Sequence, residues 1–120
     1  MIAAMRVRRV VPDFESRSLE TSKGFYGDLL GLHPVMDHGW IVTLADPDRS
    51  EVQISLMTHD ETAPVVPEAS IQVDDVDGCH AAAVEMGAEI VHPLTDEPWG
   101  VRRFFVRDPD GHVINILGHP

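Results

Sequence analysis

The sequence predicts an α+β fold built from two tandem β-α-β-β-β modules. Three observations carry it: apolar periodicity that switches twice from strand to helix and back, a DPD turn that occurs in each half, and a proline-containing break between the halves. At 120 residues the chain is sized for one compact domain, able to bury most of its apolar surface without disulfide or metal staples. Its 43% hydrophobic and 24% charged residues fit an ordinary globular protein.

Each element has a local reason. MRVRRVVPDFE carries Val7, Val10, Val11 and Phe14, a β-branched enrichment that reads as a strand, with Pro12 marking an edge or a bulge. Ser18 is placed to cap a helix over SLETSKGFYGDLLG, where Leu19, Phe25, Tyr26, Leu29 and Leu30 mark one face and Gly31 supplies a left-handed stop. PVMDH, WIVTLADP and EVQISLMT read as three short strands, the last two joined by a DPDRS turn. HDETAPVVP, with two prolines and no periodicity, is a linker. The order then recurs. EASIQVDD is a strand, DVDGCHAAAVEMG a helix with Val76, Cys79, Ala83 and Met86 inward and Gly87 as its stop, and AEIVH, GVRRFFVRD and HVINILG are strands. Module one therefore covers 1–58, the linker 59–67 and module two 68–120.

The repeat can be followed residue by residue. Asp46–Asp48 recurs at Asp108–Asp110, an offset of 62, and the alternation after it pairs Val52 with Ile114, Gln53 with Asn115 and Ile54 with Ile116. The helix starts Ser18 and Asp75 lie 57 apart and the stops Gly31 and Gly87 lie 56 apart, so the second module carries about six extra residues after its helix, within HPLTDEPWG. A longer loop bearing Trp99 suits a lid or wall over a pocket; it also suits a plain surface turn with one aromatic.

Charge narrows the partners. Nine basic against twenty acidic residues leave a formal charge of −11, which repels phosphate backbones and anionic lipids, so neither nucleic acid nor membrane is expected as a partner. No apolar run approaches the ~20 residues that span a bilayer, and charges in MIAAMRVRRVV interrupt any signal-peptide core. The single cysteine, Cys79, precludes an internal disulfide and fits a reducing compartment, so the expected location is cytoplasmic.

Two β-α-β-β-β units, the FYxxxLG string at Phe25–Gly31 and the PWG…RDPDG string at Pro98–Gly111 together resemble the vicinal oxygen chelate superfamily of glyoxalases, bleomycin resistance proteins and extradiol dioxygenases. The resemblance covers nearly the whole chain, and the second string is most similar to the bleomycin resistance branch. It implies two modules whose curved mixed sheets surround a cleft, and a homodimer, sometimes with module one of one chain against module two of the other.

It also implies where a metal would sit. Catalytic members hold a divalent ion with one residue on the first strand and one on the last strand of each module, leaving positions open for substrate oxygens. Carried onto this chain, those positions are Val11, Gln53, Glu68 and Asn115: a hydrocarbon, two amides and one carboxylate. No histidine precedes His33 and none lies between His59 and His80. The expectation is a vacated metal site and no cofactor, with a divalent metal as the alternative.

Asn115 and Gln53 then face the cavity, while Val52, Ile54, Ile114 and Ile116 alternate to the face under the helices. Paired amides recognise a polar organic ligand by hydrogen bonds, or else satisfy each other and water. The alternation puts Val42, Leu44, Phe104 and Val106 in the core and leaves Thr43, Arg103 and Phe105 for the cavity; the competing register presents Arg102 and Phe104 instead. Trp40 and Trp99 are platforms for a flat ligand or, equally, core aromatics. The histidines at 33, 38, 59, 80, 92, 112 and 119 form no cluster and read as surface residues. Two function classes follow. One is a non-catalytic protein binding a small molecule, such as an antibiotic or other aromatic natural product. The other is a metal-dependent lyase, isomerase or dioxygenase.

Overall fold

The computed structural model describes residues 6–119, so the reading of the first five residues lies outside the described residues. Two compact units divide the chain: Val11–Val66, and the residues up to Val10 together with those from Pro67 on. The first strand, β1 (Val7–Glu15), is split between them, the part from Val11 on belonging to the first unit.

The first unit continues with α1 (Leu19–Leu30), β2 (His33–Asp37), β3 (Ile41–Ala45) and β4 (Gln53–Met57). Its strands lie in the order β2-β3-β4-β1, antiparallel except for β1, which runs parallel to β4 from Asp13, one residue past Pro12. A parallel neighbour needs a crossover, and α1 supplies part of it. Ser18 caps α1 from an extended conformation, its Oγ accepting from the Thr21 N–H at 3.2 Å. Gly31 closes the helix at φ 73°, where only glycine is unstrained, and donates to the Gly27 carbonyl at 2.9 Å. Val42, Leu44 and Leu56 are buried beneath α1, with Leu19, Tyr26, Leu32 and Ile54 packed around them.

The second unit repeats the plan with β5 (Ala69–Val73), α2 (Val76–Glu85), β6 (Ile90–Asp96), β7 (Arg102–Arg107) and β8 (Val113–Gly118), in the strand order β5-β8-β7-β6. β5 is parallel to β8 and the other pairs are antiparallel, so both units have mixed sheets. Asp75 caps α2 by accepting from the Gly78 N–H at 2.9 Å; a Cβ at residue 78 would stand 2.2 Å from that carboxylate, so a larger residue there would make the Asp75 side chain turn. Val73, Val76, Ala83, Phe104 and Ile116 form the core, with Cys79 packed against it. Burial pushes the Cys79 thiol up, which suits an inert core position. The core register is the one with Phe104 and Val106 under the helix, and Arg102 lies at the surface in ion pairs with Asp77 and Asp96.

Two helix faces differ from the expectation. Phe25, Leu29 and Leu30 are 57%, 63% and 58% exposed, and α1 has no fully buried residue, because a short helix over a single sheet layer hides only the narrow stripe of Leu19 and Tyr26. Met86 is 76% exposed: α2 ends at Glu85, and the chain turns through Met86 and Gly87 instead of carrying the inward stripe one turn further. Val52 is also exposed, standing in the turn before β4.

The repeat offset changes across the last hairpin. The Asp46 N–H bonds the Val52 carbonyl, whereas Asp108 bonds His112, so the first turn is two residues longer. Thr43 pairs with Ser55 as Phe105 pairs with Asn115, and Asp13 pairs with Ser55 as Ser70 pairs with Asn115. The symmetry mate of Asn115 is therefore Ser55 and not Gln53. A shift of two preserves facing, which is why the alternation still matched.

Phe104→Ala should lower stability by about 3–5 kcal/mol, as expected for deleting a fully buried aromatic, whereas Met86→Ala should stay within about 0.5 kcal/mol. Urea melts of the two variants check the assignment.

Candidate ligand-binding site

On the second unit, the sheet face opposite α2 carries a buried polar and aromatic cluster. Phe105 on β7 pairs with Asn115 on β8, so their side chains share a face with Arg103, two residues along. Arg103 is 3% exposed; its guanidinium carbon lies 5.0 Å from the Trp99 ring centre and 4.8 Å from that of Phe105. Its Nε donates to the Glu97 carboxylate at 2.6 Å, and the His92 Nε2 lies 3.1 Å from the same oxygen. A charge this deep is tolerated only when paired and hydrogen-bonded, and the two rings add cation–π attraction.

Glu97 begins a tight turn in which Gly100 N–H bonds the Glu97 carbonyl and the Glu97 N–H bonds Val101. That turn lifts Trp99 beside Arg103, half-buried, so Trp99 stacks on a side chain of its own unit. His92 is 6% exposed, which corrects its reading as a surface residue. The cause is register: β6 is irregular against β7 between Ile90 and His92 and again between His92 and Thr95. Ile90 and Leu94 pack toward α2, while His92 sits against Phe105 with ring centres 5.1 Å apart, although strict alternation would put all three on one face.

Asn115 donates through Nδ2 to the Ser70 Oγ at 3.0 Å, and its Oδ1 is buried without a hydrogen-bond partner among the described residues. An unmade bond of that kind costs about 1–3 kcal/mol, so the oxygen is suited to a donor from outside the chain.

The other expected site residues lie elsewhere. Gln53 bends back to donate to the Ser50 carbonyl at 2.7 Å. Trp40 precedes β3 at the opposite end of that hairpin, its ring 6.2 Å from that of His59. Neither belongs to the unit that holds Trp99, Arg103, Phe105 and Asn115. In the first unit, the corresponding face instead buries Asp13, Thr43 and Ser55, with the two hydroxyls 2.8 Å apart. A depression of about 510 Å³ in the same unit is lined by Glu15, His59, Asp60 and the linker residues Ala63–Val66.

The four positions implied for a metal do not fit one. Val11 is a buried hydrocarbon, Gln53 is turned back onto the Ser50 carbonyl, Ser55, which stands at the place read for Gln53, is engaged with Thr43, and Asn115 offers a neutral amide. Glu68, exposed, is held to the turn before β8, its Oε1 2.9 Å from the His112 Nδ1 and its Oε2 accepting from the Val113 N–H. Among the described residues no three His, Cys, Asp or Glu side chains are grouped to hold an ion.

A profile of the glyoxalase/bleomycin resistance protein/dioxygenase superfamily matches residues 16–116. The chain belongs to this superfamily. No curated protein matches it. The superfamily chain is similar in fold to a member from Vibrio splendidus, with 22% identity and a TM-score of 0.72 over 94% of this chain and 99% of that one. It is also similar to an NAD-dependent benzaldehyde dehydrogenase from Legionella pneumophila, with 22% identity and a TM-score of 0.73 over 92% and 99% of the two chains. A methylmalonyl-CoA epimerase from Mycobacterium tuberculosis gives 18% identity and a TM-score of 0.70 over 100% and 93%. No helix among the described residues is long and apolar enough to cross a membrane.

Sequence reading missed Glu97, His92, Ser70, Ser55 and Asp13. Glu97 and Arg103 carried a signal: opposite charges flanking Trp-Gly, six residues apart, at the base of one hairpin.

Removing Glu97 leaves Arg103 buried without its carboxylate, so Glu97→Ala should cost about 3–5 kcal/mol, while Trp99→Ala should cost about 1–2 kcal/mol through the lost cation–π contact. Denaturant melts read both.

The Glu68–His112 pair sets a pH window. Hydrogen bonding to Glu68 raises the His112 pKa above 6.5, and the bond to His112, then that to the Val113 N–H, lowers Glu68 below 4.5. The raised histidine contributes stability that is full below 6.5 and lost as pH rises through its folded value. The lowered carboxylate contributes stability that is full above 4.5 and lost as pH falls through its folded value. The pair is therefore strongest between those limits. An NMR titration should show the His112 ring protonating above the ordinary histidine value and moving back toward it in Glu68→Gln, with Asp108 and Asp110 still raising it.

Proposed function

We propose that this chain is a non-catalytic member of its superfamily that binds a small organic molecule, with neither metal nor other cofactor. The observation that carries the reading is Asn115. On the last strand, where a catalytic relative would present a metal-binding carboxylate, this chain presents an amide whose oxygen is buried and without a partner among the described residues. A neutral amide oxygen is a poor ligand for a catalytic divalent ion and a good acceptor for an N–H or O–H of an organic ligand. Phe105 beside it and Trp99 nearby favour a planar, aromatic ligand, and the acidity of the chain favours a cationic one. An antibiotic of the bleomycin type has that chemistry, and the PWG…RDPDG string supports the same branch. The cytoplasm is the expected location, on the single cysteine.

A second reading, a metal-dependent lyase, isomerase or dioxygenase, draws on one observation: buried His92 and Glu97 share a sheet face with Asn115 and supply ionisable groups there. Both are already engaged, with each other and with Arg103.

Elemental analysis of protein purified without chelator should find no stoichiometric metal, and divalent ions should leave the melting temperature unchanged. Planar cationic natural products should raise it, by the equivalent of about 2.7 kcal/mol at ~100 times the dissociation constant. Asn115→Ala should then weaken the hit by about 1–3 kcal/mol. One equivalent of Zn, Ni, Mn or Fe per chain would overturn the reading in favour of the enzyme.

A further inference from the structure

The depression in the first unit, the unit that does not hold Asn115, has a volume of about 510 Å³, within the ~300–1,000 Å³ of small-molecule sites. Two carboxylates, Glu15 and Asp60, line it with the His59 imidazole and the aliphatic run Ala63–Val66. Among the described residues no Lys or Arg lines it. Asp60 is 7% exposed, and its Oδ1 accepts from the Thr62 N–H at 3.2 Å and the Ala63 N–H at 3.1 Å. Those bonds fold the linker so that the carboxylate and the aliphatic run line one depression. His59 is fixed between the Thr58 hydroxyl, 2.9 Å from Nδ1, and the Glu61 carboxylate, 3.0 Å from Nε2, which sets a third carboxylate next to the imidazole.

We propose that this depression is a second binding site, independent of Asn115, for a linear aliphatic polyamine, with its ammonium groups against Glu15 and Asp60 and its methylene segments along Ala63–Val66. Charge selects a cation: a cleft lined by one sign of charge concentrates counterions, and the chain's −11 adds to the same field. Burial selects an organic cation over a metal ion. A carboxylate as enclosed as Asp60 has lost most of its hydration, which an ammonium replaces with charge-assisted hydrogen bonds. A metal ion needs several convergent ligands, and no three His, Cys, Asp or Glu among the described residues are grouped to supply them. The wall selects an aliphatic body over a flat one: one alanine, one proline and two valines offer apolar surface for methylenes, and His59 is the one ring in the lining. Two carboxylates call for more than one ammonium, since a monoamine answers one of them.

Titrating spermidine into the isotope-labelled full chain at physiological salt tests this by NMR. Amide shifts should centre on Glu15 and residues 59–66, saturate with a dissociation constant below about 1 mM, and leave Asn115 unmoved. Asp60→Asn, which keeps an oxygen for the Thr62 and Ala63 N–H groups, should weaken binding by about tenfold, and Glu15→Gln by about fivefold. Glu15 is exposed, so its variant should melt like wild type and reads the site even if Asp60→Asn folds poorly. Asp48→Asn, which removes the same charge from the β3–β4 turn, should bind like wild type. Magnesium and n-butylamine should bind at least about fivefold more weakly than spermidine. Shifts that never saturate or that spread over the other acidic turns, Glu15→Gln that binds as tightly as wild type, or magnesium that binds as tightly as spermidine would each overturn the proposal.

Discussion

Everything in each unit depends on one constraint: a sheet with a helix on one face has a two-residue period, so every second side chain must leave that face. In the second unit, Phe104 and Ile116 enter the core under α2, and Arg103, Phe105 and Asn115 are thereby committed to the opposite face. In the first unit, Val42, Leu44 and Leu56 commit Thr43 and Ser55 in the same way. The two faces need different chemistry. The helix side takes branched aliphatics and Phe104, and the opposite side is polar enough to need its own hydrogen-bond accounting.

That accounting is met in two styles. In the second unit the charge of Arg103 is enclosed by Glu97 and two rings, and Glu97 also takes His92, so the carboxylate is the hinge of the cluster. In the first unit the equivalent strand pair uses two hydroxyls bonded to each other. Asn115 is the exception on the second face. Its amide has one end on Ser70 and the other unpartnered among the described residues, and chemistry is most available where a fold leaves a bond unmade.

The two modules also show how a duplicated plan diverges without losing its register. Two extra residues in the β3–β4 turn leave facing intact, because two is the period of a strand. Single-residue irregularities in β6 do the opposite and turn His92 from the face it would share with Ile90 to the face of Phe105. Insertions in pairs lengthen a loop; insertions of one re-aim a side chain.

The sequence by itself determined the β-α-β-β-β order twice over, both helix N-caps and the facing of Asn115, and it reduced the facing of β7 to two registers. Those features are local or periodic: a cap needs its own few residues, and alternation needs only a neighbour on each side. Tertiary structure alone decided the rest. Whether Phe25, Leu29 and Met86 were covered depended on how wide a stripe each helix could bury against one sheet layer. Whether His92 was buried depended on bulges that no alternating pattern records. The partner of Asn115 in the repeat depended on the length of one turn, and the destinations of Gln53 and Glu68 depended on a carbonyl and an imidazole brought near by folding. Composition and period specify which face a residue occupies; only the packed chain specifies what it meets there.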